Sequence, residues 1–475
     1  MRWKTTVVLL IATIGLGAYV SLYDLRRPTR EEQETRSKQV INLTPEDVRR
    51  LTVELGKTRL VLESSADGWR LTEPVQARAD SQLVQQLLAH LQPLTAERML
   101  ALKNDQPLTP SQFGLDPAKG TLTIESNSGI TTLRFGEATP VGHHQYASLG
   151  DQTRIAVIGS ELFDALNRSI DGYRSHALID AESWQVNDLS IESPKGAYRL
   201  MRRGDQWELT APIHDEADPA AASALLKALE GLRAVRFVME QPQAEGVREW
   251  GFDEPAARVV VGFGQVRGPI ELFIGREASD RAGERYVKRA DEATIATMQS
   301  SAMEPLVKDL ASLRSRQVFG AFAGQVTACR VEWQGRTWAI EKHEGQWREA
   351  GQREAERTGG AALDADLVDK FLWKLHELRI ERFIEDASLP EASSGLEPPA
   401  GRVILSVLGE DQPKELQIGS LLASSPHRYG RLLGRPGLIE LPAGLDELLP
   451  TSPSAFAPAA PPAPSASTAN PSGQP

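Results

Sequence analysis

The feature that most constrains this chain is internal repetition: one ordered set of landmarks recurs three times, with a period of about 140 residues. The first landmark is a tryptophan strand after a tight turn, in ADGWRLTEP around Trp69, GDQWELTAP around Trp207 and EGQWREAG around Trp347. An alternating run precedes each one (TRLVLESS, AYRLMRRG, TWAIEKHE), so each pair reads as a β-hairpin with an inward-facing Trp. A further strand lies upstream in every copy, LTVEL, LSIES and CRVEW.

The second landmark is an amphipathic helix, because apolar residues there recur at helical spacing. It is SQLVQQLLAHLQPL with Leu83, Leu87, Leu88 and Leu91, then AAASALLKALEGLRAVRFV with Leu225, Leu226, Leu229 and Leu232. In the third copy it is DADLVDKFLWKLHELRIERFI with Leu367, Phe371, Leu372 and Leu375. Asp80, Asp218 and Asp364 stand at the helix starts, where a carboxylate caps exposed N–H groups; a metal-ligand role is the alternative for such aspartates. The third landmark is a turn and strand: FGLDPAKGTLTIES, WGFDEPAARVVVGF and SGLEPPAGRVILSV, with Asp116, Asp253 and Glu397 in equivalent places. Last come strands ending in glycine at Gly136, Gly275 and Gly419, then Tyr strands at Tyr146, Tyr286 and Tyr429. An apolar strand and helix close the unit, as in RIAVIGSELFDAL and TIATMQSSAMEPLV.

This order predicts an α+β chain of three tandem, divergent mixed α/β modules with antiparallel hairpins, at residues 41–180, 181–320 and 321–449. The stretches between modules are short, which favours contact between neighbours. Residues 450–475 form a Pro/Ala/Ser tract with little apolar surface to bury, expected to be a disordered tail.

From Thr5 to Tyr23 the chain is uncharged for about nineteen residues, enough for a helix to cross a hydrocarbon core of about 30 Å. A cleaved signal peptide is the competing reading. The long apolar run and the lack of an A-x-A end favour an uncleaved anchor, and no cysteine follows for lipid attachment. Residues 1–4, with Arg2 and Lys4, are then a cytoplasmic tail, 5–23 the span and 24–40 a juxtamembrane linker. Basic residues flank both ends of the span, but large domains translocate largely regardless of charge, which places the body outside. The expected location is a bacterial inner membrane, single-pass, with an extracytoplasmic or periplasmic body.

Composition removes several function classes. A formal net charge of −11 without a concentrated basic window argues against nucleic-acid binding. Cys329 is the only cysteine, so there is no intramolecular disulfide and no thiolate cluster for zinc or iron–sulfur; its run VTACRVEW makes it a buried strand residue. No nucleophile elbow, P-loop or H-E-x-x-H occurs. Gly262-Phe263-Gly264 lacks a following helix and reads as a hairpin bend. His143-His144 are neighbours in a variable loop, and adjacent strand residues face opposite ways. The repeated Trp residues read as core anchors, with stacking on sugars as the alternative. No catalytic, cofactor-binding or metal-binding residue is therefore assigned, and no cofactor is expected.

The hairpins GWRLTEP and QWELTAP, the turns FGLDP and GFDEP, and the strands LRFGE and LFIGR together resemble family 4340 of the bacterial domains of unknown function, from Ile41 to about Leu449. The third copy departs from the pattern, since EGQWREAG lacks the following Pro and SGLEPP replaces FGLDP. The resemblance implies an envelope protein of the kind often encoded beside gliding-motility-type ABC export subunits. It implies an accessory role and no catalytic residues. The expectation is a membrane-anchored accessory or scaffold protein that is not an enzyme, with an ABC transporter permease or companion envelope protein as partner. A glycan-active enzyme or glycan-binding protein is the alternative.

Overall fold

The computed structural model describes residues 37–41, 43–100, 109–150, 154–242, 248–350, 362–384, 391–423 and 425–458, with Trp3 and Thr13 singly. The candidate span Thr5–Tyr23 lies, apart from Thr13, outside the described residues. Among the described residues no helix is long and apolar enough to cross a membrane. By compactness the chain divides into two units, one of residues 1–180, 231–255 and 272–301, the other of 181–230, 256–271 and 302–475. The architecture is mostly antiparallel β-sheet with few helices, in repeated modules, and the second repeat contributes to both units.

The first unit holds the whole first module. Its nine-stranded sheet runs, in spatial order, Ala77–Arg78, Gly68–Glu73, Thr58–Ser65, Val48–Leu55, Gly120–Ser126, Gly129–Ala138, His144–Leu149, Ile155–Gly159 and Arg98–Leu100. The hairpins expected around Trp69 are present, with Ser64 opposite Trp69 and Leu62 opposite Leu71. Helix Ser81–Leu91 turns Leu83, Val84, Leu87, Leu88 and Leu91 onto the sheet, where they meet Leu51, Leu62, Leu71, Ile124 and Phe135. Each fully buried Leu contributes about 1.5–3 kcal/mol. The same unit carries strands Glu284–Arg289, Ile295–Gln299 and Arg236–Met239 of the second repeat, in the order of their first-module counterparts.

The second unit holds the other strands of the second repeat, Asp215–Glu216, Gln206–Ala211, Gly196–Arg203, Asp188–Ser193 and Ala257–Gly262, with helix Pro219–Glu230. It also holds the third module, an eight-stranded sheet in the order Gln346–Glu349, Arg336–His343, Val326–Trp333, Gly401–Val407, Lys414–Leu421, Arg428–Leu432, Leu438–Leu441 and Arg382–Ile384. Strand Gly401–Val407 alternates strictly between buried and half-buried positions, so one face supplies the core. Cys329 sits in that core at 1% exposure, and burial pushes its thiol up to about 12.

Two glycine motifs have one cause. Gly114, Gly251 and Gly395 adopt left-handed φ values of 66°, 76° and 66°, while a Cβ on Gly136, Gly275 or Gly419 would strike the backbone carbonyl of Phe113, Trp250 or Ser394. The turn therefore presses directly onto the glycine of the following strand, which only a residue without a side chain allows. Asp116, Asp253 and Glu397 are exposed on these turns.

Several boundaries differ from expectation. Gln39 and Val40, placed in the 24–40 linker, belong with Ile41 to a strand Gln39–Ile41 that pairs with Leu94–Thr95, and the Ala96 N–H donates to the Lys38 carbonyl at 2.7 Å. Equivalent straps occur where Ala234 donates to His176 and Ile380 to Arg316. The helical pattern through RAVRFV and RIERFI ends early: helices stop at Glu230 and Glu377, and Arg236–Met239 and Arg382–Ile384 are strands. There the edge of the sheet supplies hydrogen bonds that outweigh helical periodicity. SSAMEPLV forms only a 3-10 turn at Ser300–Met303. Of the tail expected over residues 450–475, residues 459–475 lie outside the described residues, while 450–458 are placed against the third module. Pro453–Phe456 is a 3-10 turn, and Phe456, 3% exposed, packs at a tilt against Phe371 at 5.4 Å and edge-on against Trp338 at 5.7 Å. An aromatic ring beside an open apolar core is buried despite its proline-rich context.

Candidate functional site: the module junctions

The residues singled out by sequence are mostly structural in their placement. Asp80 accepts from the Gln82 and Leu83 N–H groups at 2.9 and 3.0 Å, Asp218 from Ala221 at 2.8 Å, and Asp364 from Asp366 and Leu367 at 3.0 and 3.2 Å; all three are helix caps. Trp347 is buried, Trp69 packs partly buried on the first core, and Trp207 is half-buried. His143 is exposed; His144 opens a strand, its Nε2 3.7 Å from Glu97. Gly262 ends a strand, Phe263 is buried and Gly264 turns at φ 64°. Among the described residues no group of three or more His, Cys, Asp or Glu side chains is placed to hold a metal ion.

The structure instead gathers charge where one module hands over to the next. The chain leaves a module through a 3-10 turn, Ile170–Tyr173 or Leu310–Leu313. The following Arg then bridges back to the short strand beside the Trp hairpin: Ala79 faces Arg174, and Ala217 faces Arg314. The next residue continues the pairing, as Ser175 donates to the Arg78 carbonyl and Ser315 to the Glu216 carbonyl, both at 2.8 Å. This brief ladder orients each arginine inward. The Arg174 guanidinium lies 3.5 Å from the Phe237 ring centre, and that of Arg314 lies 3.7 Å from Phe383.

At the first junction, inside the first unit, Arg174 is 2% exposed and forks onto Glu240 at 2.5 and 3.2 Å, with Thr294 at 3.3 Å. Arg78 bonds Glu292 at 2.5 Å and the Ala177 carbonyl at 2.7 Å, with Asp180 at 3.4 Å. Arg289 grips Asp291 at 2.9 and 2.7 Å and the Leu178 carbonyl at 2.9 Å. Its hydrogen bond to the guanidinium holds the Asp291 carboxyl below the usual carboxylate range.

At the second junction, inside the second unit, the Asp215 side chain has no exposure. It accepts from Arg314 Nε at 2.6 Å and from Arg435 at 2.6 and 3.2 Å. Other guanidinium donors reach main-chain carbonyls: Arg314 to Pro436 at 2.8 Å, and Arg435 to Ser315 at 2.7 Å and Gln317 at 2.9 Å. Glu292 and Arg435 occupy equivalent places, each three residues before the strands Ile295–Gln299 and Leu438–Leu441. The following module thus contributes an acid at this place in the first junction and a base in the second, and Asp215 stands where the first module has Ala77.

Among the described residues the third module makes no such hand-over. The Asp364 N–H donates to the Phe456 carbonyl as Asp80 and Asp218 do to Tyr173 and Leu313, which aligns Ala457 with the two arginines and Pro458 with the two serines. Alanine has no guanidinium, and proline has no N–H to donate. Reading the sequence for hairpins and helix faces missed these residues. A partial signal was available: of the four Arg-Ser pairs in the sequence, those at 36–37, 174–175 and 314–315 fall at the module period and only that at 168–169 does not, although Arg36 itself lies outside the described residues. Asp215 and Arg435 carry no such signal.

Comparison with curated proteins finds no match. A solved structure, DNA polymerase III subunit beta from Borrelia burgdorferi in complex with a natural product, aligns over 86% of this chain and 94% of that one at 7% identity. Its TM-score is 0.14. The model of the family described as Domain of unknown function (DUF4340) matches in three segments, residues 69–249, 239–361 and 356–461, in keeping with the repeats. The repeated hairpins, glycine-locked turns and Arg-mediated junctions are therefore those of a chain that belongs to the DUF4340 family.

Proposed function

We propose that this protein is a membrane-anchored extracytoplasmic scaffold, held by Thr5–Tyr23, that binds a protein or polymer of the envelope as an accessory to an ABC-type export system. The observation that carries this reading is the second junction, where one fully buried carboxylate ties two arginines of the following segment to the module before it. A buried ion pair adds little net stability but strongly disfavours other arrangements, so it suits a protein whose task is to hold surfaces in register. The anchor rests on the uncharged run of the sequence, and the exporter on family resemblance.

Crosslinking in native membranes followed by mass spectrometry tests this directly. A permease or a second anchored envelope protein is expected among the crosslinked species; repeated recovery of the chain alone overturns the reading. Orientation is tested with a reporter fused after Pro458, beyond the buried Phe456. It is expected to be active only on the outer side of the membrane.

A further inference from the structure

We propose that a cleft in the second unit, bounded by the Trp207 hairpin and the segment after Arg314, binds an oligosaccharide. This goes beyond the scaffold reading and stands whether or not an exporter is the partner. The cleft has a volume of about 480 Å³, within the range of small-ligand sites.

One wall carries Trp184, 70% exposed. It sits in the 3-10 turn Ser183–Gln185, and each module opens with the same turn: Pro45–Asp47 and Ala323–Gln325 are its counterparts, each running into a buried valine, Val48, Val186 or Val326. The other two turns carry Glu46 and Gly324 where this one carries the indole. The fold therefore has no need of an aromatic ring there, and leaving one in water costs solvation that packing does not return. The turn is nevertheless tethered firmly. The Glu182 N–H donates to Gln185 at 2.9 Å, the Ser183 hydroxyl to Glu230 at 2.5 Å, and Arg202 to the Trp184 carbonyl at 3.2 Å. An exposed indole on a fixed platform is a stacking surface.

Elsewhere in the lining, polar side-chain tips converge. A Cβ on Gly320 would lie 3.7 Å from Lys414 Nζ, 3.8 Å from Gln317 Oε1 and 3.9 Å from Glu216 Oε2. In the first junction the places of Glu216 and Gly320 are taken by Arg78 and Asp180, which face each other at 3.4 Å. The second junction lacks that pair, so the space stays open and is ringed by an ammonium, an amide and a carboxylate. A ligand that meets both a flat apolar surface and a cluster of mixed donors and acceptors within one cleft has the character of a pyranose chain. Its C–H face stacks on indole, and each hydroxyl both donates and accepts.

The test is calorimetric titration of the full chain in detergent with chitotetraose, cellotetraose and maltotetraose. At least one is expected to bind with a Kd on the order of a millimolar or tighter. Trp184→Ala is expected to weaken that binding about tenfold, with no change in the unfolding midpoint, because two other modules form the same turn without it. Gly320→Leu, which puts a side chain among the lining groups, is expected to weaken it as well. Failure of all three sugars to bind overturns the proposal. So does binding that Trp184→Ala and Gly320→Leu leave unchanged, or preferential binding of an unrelated tetrapeptide.

Discussion

The two junctions keep one contact and change everything around it. Arg174 over Phe237 and Arg314 over Phe383 are the same stack, delivered by the same short ladder. Around the first stack, Arg78 and Arg289 add a network with several carboxylates, and the charges share partners: Asp180 lies near both Arg78 and Arg289, and Glu292 near both as well. Around the second, Asp215 alone serves two guanidiniums. A distributed network tolerates loss of one member, whereas a single shared carboxylate does not. The contrast also separates the roles of the two places, since the crowded junction is closed by Arg78 facing Asp180, while the sparse one leaves a cleft beside it.

The largest expected effect comes from Asp215→Ala. It strands two buried or nearly buried guanidiniums, and denaturant unfolding should register a loss of about 3–5 kcal/mol. A loss below about 1 kcal/mol would break the idea that this carboxylate is the centre of the junction. Phe237→Leu and Phe383→Leu, which keep apolar volume but remove the ring face, should each cost about 1–2 kcal/mol. If the stacks are equivalent the two losses should agree within about 0.5 kcal/mol; a large disparity would show that the surrounding charges decide the strength of the stack. Glu292→Gln should cost only about 1 kcal/mol, because Arg78 keeps the Ala177 carbonyl and Asp180. An effect as large as that of Asp215→Ala would remove the distinction between shared and distributed networks.

Acid sensitivity gives the smallest and finest comparison. In the first unit Asp291 is held low by its hydrogen bond to Arg289; in the second, Glu440 is held low by hydrogen bonds from His427 and Arg382. A carboxyl whose folded value lies below its unfolded one stabilises fully above the ordinary carboxylate range, and that contribution is lost as pH falls through the folded value. Thermal unfolding followed from neutral pH downward should therefore show a declining midpoint on the acid side. Asp291→Asn and Glu440→Gln should each flatten part of that decline, and an unchanged slope in both would show that neither group is protonated on unfolding.

Much of the fold was legible in the residues. Period-two runs became the hairpins, the leucines at helical spacing became buried helix faces, and Asp80 and Asp364 cap as their positions implied. The paired glycines were legible as a pattern but not as a cause, because the clash they avoid is with backbone carbonyls more than twenty residues away. RAVRFV and RIERFI misled because helical spacing ran on into segments whose hydrogen-bond partners lie on the sheet edge. Phe456 misled because its neighbours are prolines, serines and alanines, and only the ring itself marks it as able to join a core.

What the sequence determined alone is whatever depends on neighbours along the chain: the repeat, the alternation of strands, the amphipathic helices and their caps. These follow from the fixed rise and turn of the backbone, which place residues two or four apart on a shared face. What only the tertiary structure decided is the state of the charges. Asp215 and Arg435 stand 220 residues apart. Nothing local distinguishes them from the many acids and bases that stay in water; they become a buried carboxylate and a nearly buried guanidinium because folding removes most of the water around both at once.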